Sequence, residues 1–135
     1  MEKQKKVIDA SVVVKWFLNE ECSKEALKIR EDHIFGEVNL IIPELAFMEV
    51  LNALRYKKVD IKRLLEVNKS LFEEQFQIEK INYSVLNKAV ENSIKYGITI
   101  YDSLYVTIAQ LHGAFLITAD SELYKIPNVI ALDKI

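Results

Sequence analysis

Short runs of apolar residues alternate with longer segments of helical periodicity along this chain. The apolar runs cover 7–8, 40–42, 114–118 and 129–132, and a possible edge strand covers 77–80. Helical periodicity predicts helices over 12–18, 23–32, 44–58, 61–74, 84–96 and 100–112, with a short turn or helix over 121–125. Strands that alternate with helices form a parallel sheet covered on both faces. We therefore predict an α/β fold, a three-layer α/β/α sandwich with a central, mainly parallel sheet.

Local signals indicate where several of these helices begin and end. Ser11, Asp60 and Thr99 are residue types that cap a helix N-terminus. Pro43 ends a predicted strand and suits the first turn of the following helix. Gly97 fits a C-terminal helix stop.

Length and composition limit the class of protein. The chain has 135 residues, the usual size of one domain, so we expect 1–135 to be a single domain. Its net charge of −2 excludes a protein that coats nucleic acid by bulk positive charge, but not one with a local nucleic-acid groove. The single cysteine, Cys22, excludes an internal disulfide. No apolar segment approaches the ~20 residues of a membrane span, and we expect a soluble, cytoplasmic protein.

Two acids follow predicted buried strands. Asp9 comes directly after Val7 and Ile8, and Asp120 comes after the apolar run that ends near Thr118. Ligands of open parallel sheets bind outside the carboxyl ends of the strands. These two carboxylates are therefore candidates for one shared site.

Two further acids lie on helices in apolar company. The helix around Glu49 is apolar around almost its whole circumference, so we expect this helix, and Glu49 with it, to be buried. Asp102 lies in the first turn of its helix, on the same stripe as Tyr105. A buried carboxylate needs a cation, a hydrogen-bond donor or a proton.

Each acid also has a simpler structural explanation. Asp9 fits a turn or a cap, Asp102 a capping box with Thr99, and Asp120 a cap on the next turn. Glu49 could pair with a core lysine or arginine. Four independent structural acids are nevertheless less probable than one metal site. Carboxylates without cysteine or histidine suit Mg²⁺ or Mn²⁺ rather than zinc, and such ions activate water and neutralise phosphate oxygens.

The same residues resemble the PIN-domain family, in particular the toxin subunits of VapBC toxin–antitoxin pairs. The matching segments, which span nearly the whole chain in the family's order, are Val7-Ile8-Asp9-Ala10-Ser11, Pro43-Glu44-Leu45 running to Glu49-Val50-Leu51-Asn52, Tyr96-Gly97-Ile98-Thr99-Ile100-Tyr101-Asp102-Ser103-Leu104-Tyr105, and Leu116-Ile117-Thr118-Ala119-Asp120.

This resemblance implies a PIN-like α/β/α fold and RNA cleavage that depends on Mg²⁺ or Mn²⁺. The family's four catalytic and metal-binding acids match, in order, Asp9, Glu49, Asp102 and Asp120. In the implied reaction, water activated by the metal attacks the scissile phosphate in line and leaves 5′-phosphate and 3′-hydroxyl ends. The family's two hydroxyl residues match Ser11 and Thr118, which would orient carboxylates or water. Asn52 also matches, and we interpret it as a donor to Glu49 or its neighbours.

The resemblance further implies a protein partner. A VapBC toxin is blocked by a short antitoxin with a DNA-binding head and a tail that wraps the toxin. We expect the tail to insert a basic side chain into the acidic site, an arginine being best suited to bond two carboxylates. Apolar residues near Trp16, Phe17 and Leu18 either form part of its groove or belong to the core. From the resemblance alone, we also expect a homodimer.

Other functions also fit parts of the sequence. The alternatives are a housekeeping PIN-type nuclease and a non-enzymatic binding module of the same fold. A phosphoacceptor receiver domain is disfavoured because the predicted strand over 40–42 runs into Pro43 without an aspartate.

The basic stretch around Tyr56 is either a solvated helix end or an RNA contact, and Lys15 faces either substrate or solvent. We expect no catalytic role for the two histidines, His33 and His112. The members of the basic stretch are Arg55, Lys57, Lys58, Lys62 and Arg63.

Overall fold

The computed structural model describes residues 3–135. In this part of the chain five strands form one sheet, in the order β3-β2-β1-β4-β5, and every neighbouring pair is parallel. The strands are β1 (Gln4–Ile8), β2 (Val38–Pro43), β3 (Gln77–Glu79), β4 (Phe115–Thr118) and β5 (Val129–Ala131). The predicted parallel sheet is therefore confirmed, with β3 at an edge as expected.

Six α-helices connect these strands within the described residues. They are α1 (Ala10–Val14), α2 (Ser23–Ile34), α3 (Leu45–Tyr56), α4 (Ile61–Glu73), α5 (Tyr83–Tyr96) and α6 (Ile100–Leu111). Single 3₁₀ turns cover Ser121–Leu123 and Leu132–Lys134.

The layers follow from the handedness of the connections. The chain runs from β1 to β2 to β3 in one direction, and then crosses back over to β4 on the other side of β1. Because crossovers between parallel strands are right-handed, α1 to α4 cover one face and α5 and α6 the other. The contacts agree with this arrangement: α1 packs on α3, α3 on α4, and α5 on α6. The predicted three-layer α/β/α sandwich is confirmed.

The core lies on both faces of the central strands. Val7 and Ile8 of β1 are fully buried, and so is Leu116 of β4. Their neighbours in register come from adjacent strands, since Val7 lies between Ile41 and Leu116. This continuous burial explains why the central strands consist of uninterrupted apolar residues instead of an alternating pattern.

The predicted helix ends are confirmed in part. The side chains of Asp60 and Thr99 accept hydrogen bonds from backbone amides of the first turns of α4 and α6. Gly97 ends α5 with a positive φ of 64°, a conformation that glycine adopts without strain. The prediction for Ser11 is wrong, because α1 begins at Ala10 and the Ser11 hydroxyl bonds to the side chain of Asp9 instead. Pro43 is the last residue of β2 and precedes the helix.

The structure decides between two alternatives for one apolar segment and corrects one expectation about a helix. Trp16 is a core residue, 7% exposed, and its ring stacks on that of Phe76 with centroids 5.8 Å apart. Trp16 thus belongs to the core, although it also lines a cavity together with Phe17 and Arg63. Conversely, α3 is not buried all round: Met48 is 64% exposed and lies in an apolar groove between α3 and α4.

Within residues 3–135, no helix combines the length and the apolar character needed to cross a bilayer.

Candidate active site

The candidate site lies where the strand order changes direction. β1 and β4 are neighbours in the sheet, but the chain leaves them toward opposite sides. Such a switch point opens a crevice at the carboxyl ends of the two strands, where α/β proteins bind ligands. Asp9 is the residue after β1, and Asp120 is the second residue after β4. The topology therefore brings both strand-end acids to this crevice.

Both oxygens of the Asp9 carboxylate accept a hydrogen bond from a hydroxyl. The Ser11 hydroxyl donates to Oδ1 at 2.5 Å, and the Thr118 hydroxyl donates to Oδ2 at 2.5 Å. Hydrogen bonds to a charged carboxylate are shorter and stronger than those between neutral groups. Asp9, which is 6% exposed, is thus held in one orientation from two sides.

The same two hydroxyls also fix the loop that follows β4. The Ser11 oxygen accepts a hydrogen bond from the amide of Ala119, and the Thr118 oxygen accepts one from the amide of Asp120, each at 3.0 Å. Each hydroxyl therefore uses its proton for Asp9 and a lone pair for the backbone. This arrangement ties the Asp120 loop to Asp9, which explains why both positions carry a hydroxyl.

The two helical acids approach the crevice from the two helical layers. α6 packs against β1 and β4 and carries Asp102 in its first turn, while α3 packs on α1 and carries Glu49. The hydroxyl of Tyr105, one turn after Asp102, donates a hydrogen bond to Glu49. Tyr105 is almost fully buried, whereas Glu49 and Asp102 are partly exposed.

The pKa values of these acids reflect burial and mutual repulsion. Burial raises the pKa of Asp9 from an ordinary 3.8 to about 6, against the opposing hydrogen bonds from Ser11 and Thr118, and the charge of Asp102 adds to the increase. Burial also raises the pKa of Asp102, and the neighbouring Asp120 adds to it. Burial and then the charge of Asp102 raise the pKa of Glu49. The charge of Asp102 thus raises the pKa of Asp9 and of Glu49, and the charge of Asp120 raises the pKa of Asp102.

The donor set fits a hard divalent cation. Charge interactions link the four carboxylates, and three of them have raised pKa values that a nearby cation would oppose. As the side chains stand in residues 3–135, no three acidic, histidine or cysteine groups are close enough to hold one ion in common. Mg²⁺ does not require such a cage, because it keeps several waters and is bound through one or two carboxylates.

Several predicted contacts differ in detail. Asn52 donates no hydrogen bond to Glu49 in residues 3–135; it is exposed and lines the groove beside α4. Tyr105 takes the predicted donor role instead. Its position on the Asp102 stripe was the available signal, since a buried tyrosine hydroxyl usually needs a partner. No lysine or arginine of the described residues pairs with Glu49.

The capping hydrogen bonds that the sequence suggests at Thr99 and Asp120 are also present. Thr99 accepts a hydrogen bond from the amide of Asp102, and the Asp120 carboxylate accepts one from the amide of Glu122, both at 3.0 Å. Local capping and a place in the crevice are thus compatible.

The histidines lie in structural surroundings. His33 bonds to backbone groups at the start of β2 and after α4, and His112 contacts Glu79 at 3.1 Å. Within the basic stretch, Tyr56 is 86% exposed. Lys57 contacts Glu20, as does Lys15.

The fold and the crevice define a doubly wound α/β protein with an acidic site at its switch point. The model of the family described as PIN domain matches residues 6–129, and the chain belongs to this family.

Individual relatives agree with that assignment. The chain is 32% identical over 124 residues to ribonuclease VapC3 of Pyrobaculum aerophilum, an alignment that covers 88% of this chain and 92% of the relative. Its fold matches a toxin–antitoxin complex from Klebsiella pneumoniae with a TM-score of 0.70 and 19% identity, over 94% of this chain and 97% of that one. It matches DNA-bound VapBC from Salmonella typhimurium with a TM-score of 0.68 and 14% identity, over 96% and 98% of the two chains.

Proposed function

We propose that this chain is a metal-dependent endoribonuclease and the toxin subunit of a toxin–antitoxin pair. The observation that carries the proposal is the crevice at the switch point, where Asp9 is oriented by two hydroxyls among three further acids. The PIN domain match and a relative named as a ribonuclease support the same activity. RNA is the substrate in this proposal, and the cytoplasm is where the chain would meet it.

In this proposal Mg²⁺ or Mn²⁺ is held by Asp9, Glu49, Asp102 and Asp120. When bound, the cation supplies an activated water and neutralises charge on the scissile phosphate. Hydrolysis breaks the bond from phosphorus to the 3′ oxygen, and leaves a 5′-phosphate and a 3′-hydroxyl.

The chain's own contribution is orientation. Ser11 and Thr118 hold the Asp9 carboxylate and, through the amides of residues 119 and 120, the loop that carries Asp120. Tyr105 holds Glu49 through its hydroxyl. Side chains fixed in this way need no reorganisation when the phosphate arrives, which is the main source of electrostatic catalysis.

The partner in this proposal is a small antitoxin that inserts a basic side chain into the acidic crevice. The negative charge of the four carboxylates would attract such a cation, and an arginine can bond two carboxylates at once. The apolar groove between α3 and α4 offers a path for the antitoxin's tail, because α3 also carries Glu49. Its apolar lining consists of Met48, Leu51, Leu64 and Leu65. A homodimer of the toxin belongs to the same proposal, and relatives in toxin–antitoxin complexes support the pairing.

The test is cleavage of single-stranded RNA by the purified chain. We expect cleavage with Mn²⁺ or Mg²⁺ and none with EDTA, and we expect Asp9→Asn to lack activity while keeping a wild-type circular dichroism spectrum. Expression of the chain alone should slow growth, and co-expression with an adjacent small gene should restore it. Cleavage without growth inhibition or a co-purifying partner would instead identify a housekeeping nuclease. An Asp9→Asn variant that cleaves like wild type would falsify the metal-site assignment.

A further inference from the structure

A second cavity adjoins the acidic crevice and has the opposite charge. It has a volume of about 320 Å³, and one side is formed by Ser11 and Ala119, the pair that links Asp9 to the loop after β4. The charged side chains that line it are Lys15, Lys57 and Glu20, which leaves one positive charge uncompensated. The rest of its wall is small and apolar, formed by Ala10, Val14 and Ala53.

The two lysines come from distant parts of the chain and meet at one carboxylate. Lys15 follows α1 and contacts one oxygen of Glu20 at 3.2 Å, while Lys57 follows α3 and contacts the other oxygen at 2.9 Å. The side chain of Lys15 is only 13% exposed. The two ammonium groups, Lys57 more than Lys15, hold the pKa of Glu20 below its ordinary value. Glu20 is therefore ionised and bridges both lysines in the free protein.

This bridge resembles the way two lysines hold a phosphate. A carboxylate and a phosphodiester both present oxygens with a negative charge to ammonium donors. Lys57 directly follows α3 and lies eight residues after Glu49, a rise of roughly 12 Å along the helix axis. If the scissile phosphate of an RNA strand lies in the crevice, a neighbouring backbone phosphate of the same strand would thus lie at the cavity.

We propose that this cavity binds an RNA backbone phosphate beside the scissile one, and that Glu20 occupies the two lysines until the RNA displaces it. The small apolar wall accommodates the ribose attached to that phosphate. This proposal rests on the proposed ribonuclease function and deepens it by naming the substrate contacts. The proposal also explains how a chain with a net charge of −2 holds RNA next to four carboxylates. The two lysines attract the RNA locally, whereas the overall charge does not.

The test compares three variants and one control in the full chain. Lys15→Met and Lys57→Met remove the charge and keep the aliphatic stem, Glu20→Gln frees both lysines, and Lys88→Met is the control. Lys88 is an exposed lysine on α5 that is also ion-paired, at 3.8 Å from Glu91. The measurements are kcat and KM on a short single-stranded RNA of randomised sequence with Mn²⁺, and binding of the same RNA in EDTA by fluorescence anisotropy at several salt concentrations.

The expected responses have opposite signs. Each lysine variant raises KM several-fold with little change in kcat, because it removes binding that is equal in the ground and transition states. Each also lowers the slope of log affinity against log salt by about 0.7, the contribution of one phosphate contact on a single strand. Glu20→Gln lowers KM, because the lysines no longer have an internal competitor. Lys88→Met leaves both KM and the salt slope unchanged.

Other results separate this proposal from its alternatives. If Glu20→Gln raises KM as the lysine variants do, or if none of the three changes RNA affinity, the bridge only stabilises the fold and the proposal is overturned. If wild type binds RNA with the predicted responses but does not cleave it, the ribonuclease function fails and the cavity assignment stands. A wild-type chain that neither binds nor cleaves RNA refutes both.

Discussion

Asp9→Asn should make the metal-free protein more stable at neutral pH while abolishing cleavage. Burial raises the pKa of Asp9 from 3.8 to about 6 in the folded chain. The ionised carboxylate therefore lowers the free energy of unfolding above pH 6, and this cost disappears as the pH falls toward 3.8. A shift of that size corresponds to on the order of 3 kcal/mol at neutral pH, at about 1.4 kcal/mol per pKa unit.

An asparagine side chain removes most of this cost. Like the protonated acid, the amide accepts one hydrogen bond and donates one, so it can still bond to both Ser11 and Thr118. We therefore expect Asp9→Asn to gain up to about 3 kcal/mol at pH 7.5. For a urea slope of about 1.5 kcal/mol per molar, the midpoint then rises by up to about 2 M.

The assay is urea unfolding in EDTA, followed by circular dichroism at several pH values. The stability difference between variant and wild type should shrink as the pH falls below 6 and vanish well below pH 3.8, where Asp9 is protonated in both the folded and the unfolded chain. A variant that is less stable than wild type at pH 7.5, or a difference that does not depend on pH, would refute the reasoning about this carboxylate.

Three further variants probe the contacts around the crevice. Tyr105→Phe removes the donor to Glu49 and should lower kcat by about tenfold or more with little change in KM, as measured by steady-state RNA cleavage. Thr118→Val leaves one Asp9 oxygen and the amide of Asp120 without a partner, and should cost about 1–3 kcal/mol in urea unfolding. Glu49→Gln should raise the melting temperature of the metal-free protein, because it removes one of the repelling charges, and a lower value would contradict the mutual repulsion.

The sequence predicts those features of the fold that depend on local patterns. The apolar runs before Asp9 and Asp120 predicted two strand ends, and the parallel sheet brings both ends to one crevice because β1 and β4 are neighbours. Helical periodicity likewise predicted the helices that carry Glu49 and Asp102. The charge interaction between these two acids depends on the packing of α3 and α6, which local periodicity does not encode.

Contacts between distant residues were the part that local patterns missed. The bond from Tyr105 to Glu49 joins two helices, and the stacking of Trp16 on Phe76 joins the turn after α1 to the residue before β3. Met48 shows the opposite case: an apolar residue on an apolar helix predicts burial, but it is exposed in the groove between α3 and α4. Ser11 has a capping residue type, but Asp9 provides a stronger, charged acceptor for its hydroxyl.

The central claim is that the four acids of the crevice hold one divalent-cation site. Calorimetric titration of the metal-free chain with Mn²⁺ tests it most directly, in wild type and in Asp9→Asn, Glu49→Gln, Asp102→Asn and Asp120→Asn, with Glu91→Gln on α5 as the control. We expect wild type and Glu91→Gln to bind Mn²⁺ with the same affinity, and each of the four crevice variants to bind it more weakly, because an amide contributes no charge to a hard cation. Absence of Mn²⁺ binding in wild type, or affinities in the four variants equal to that of the control, would contradict the claim.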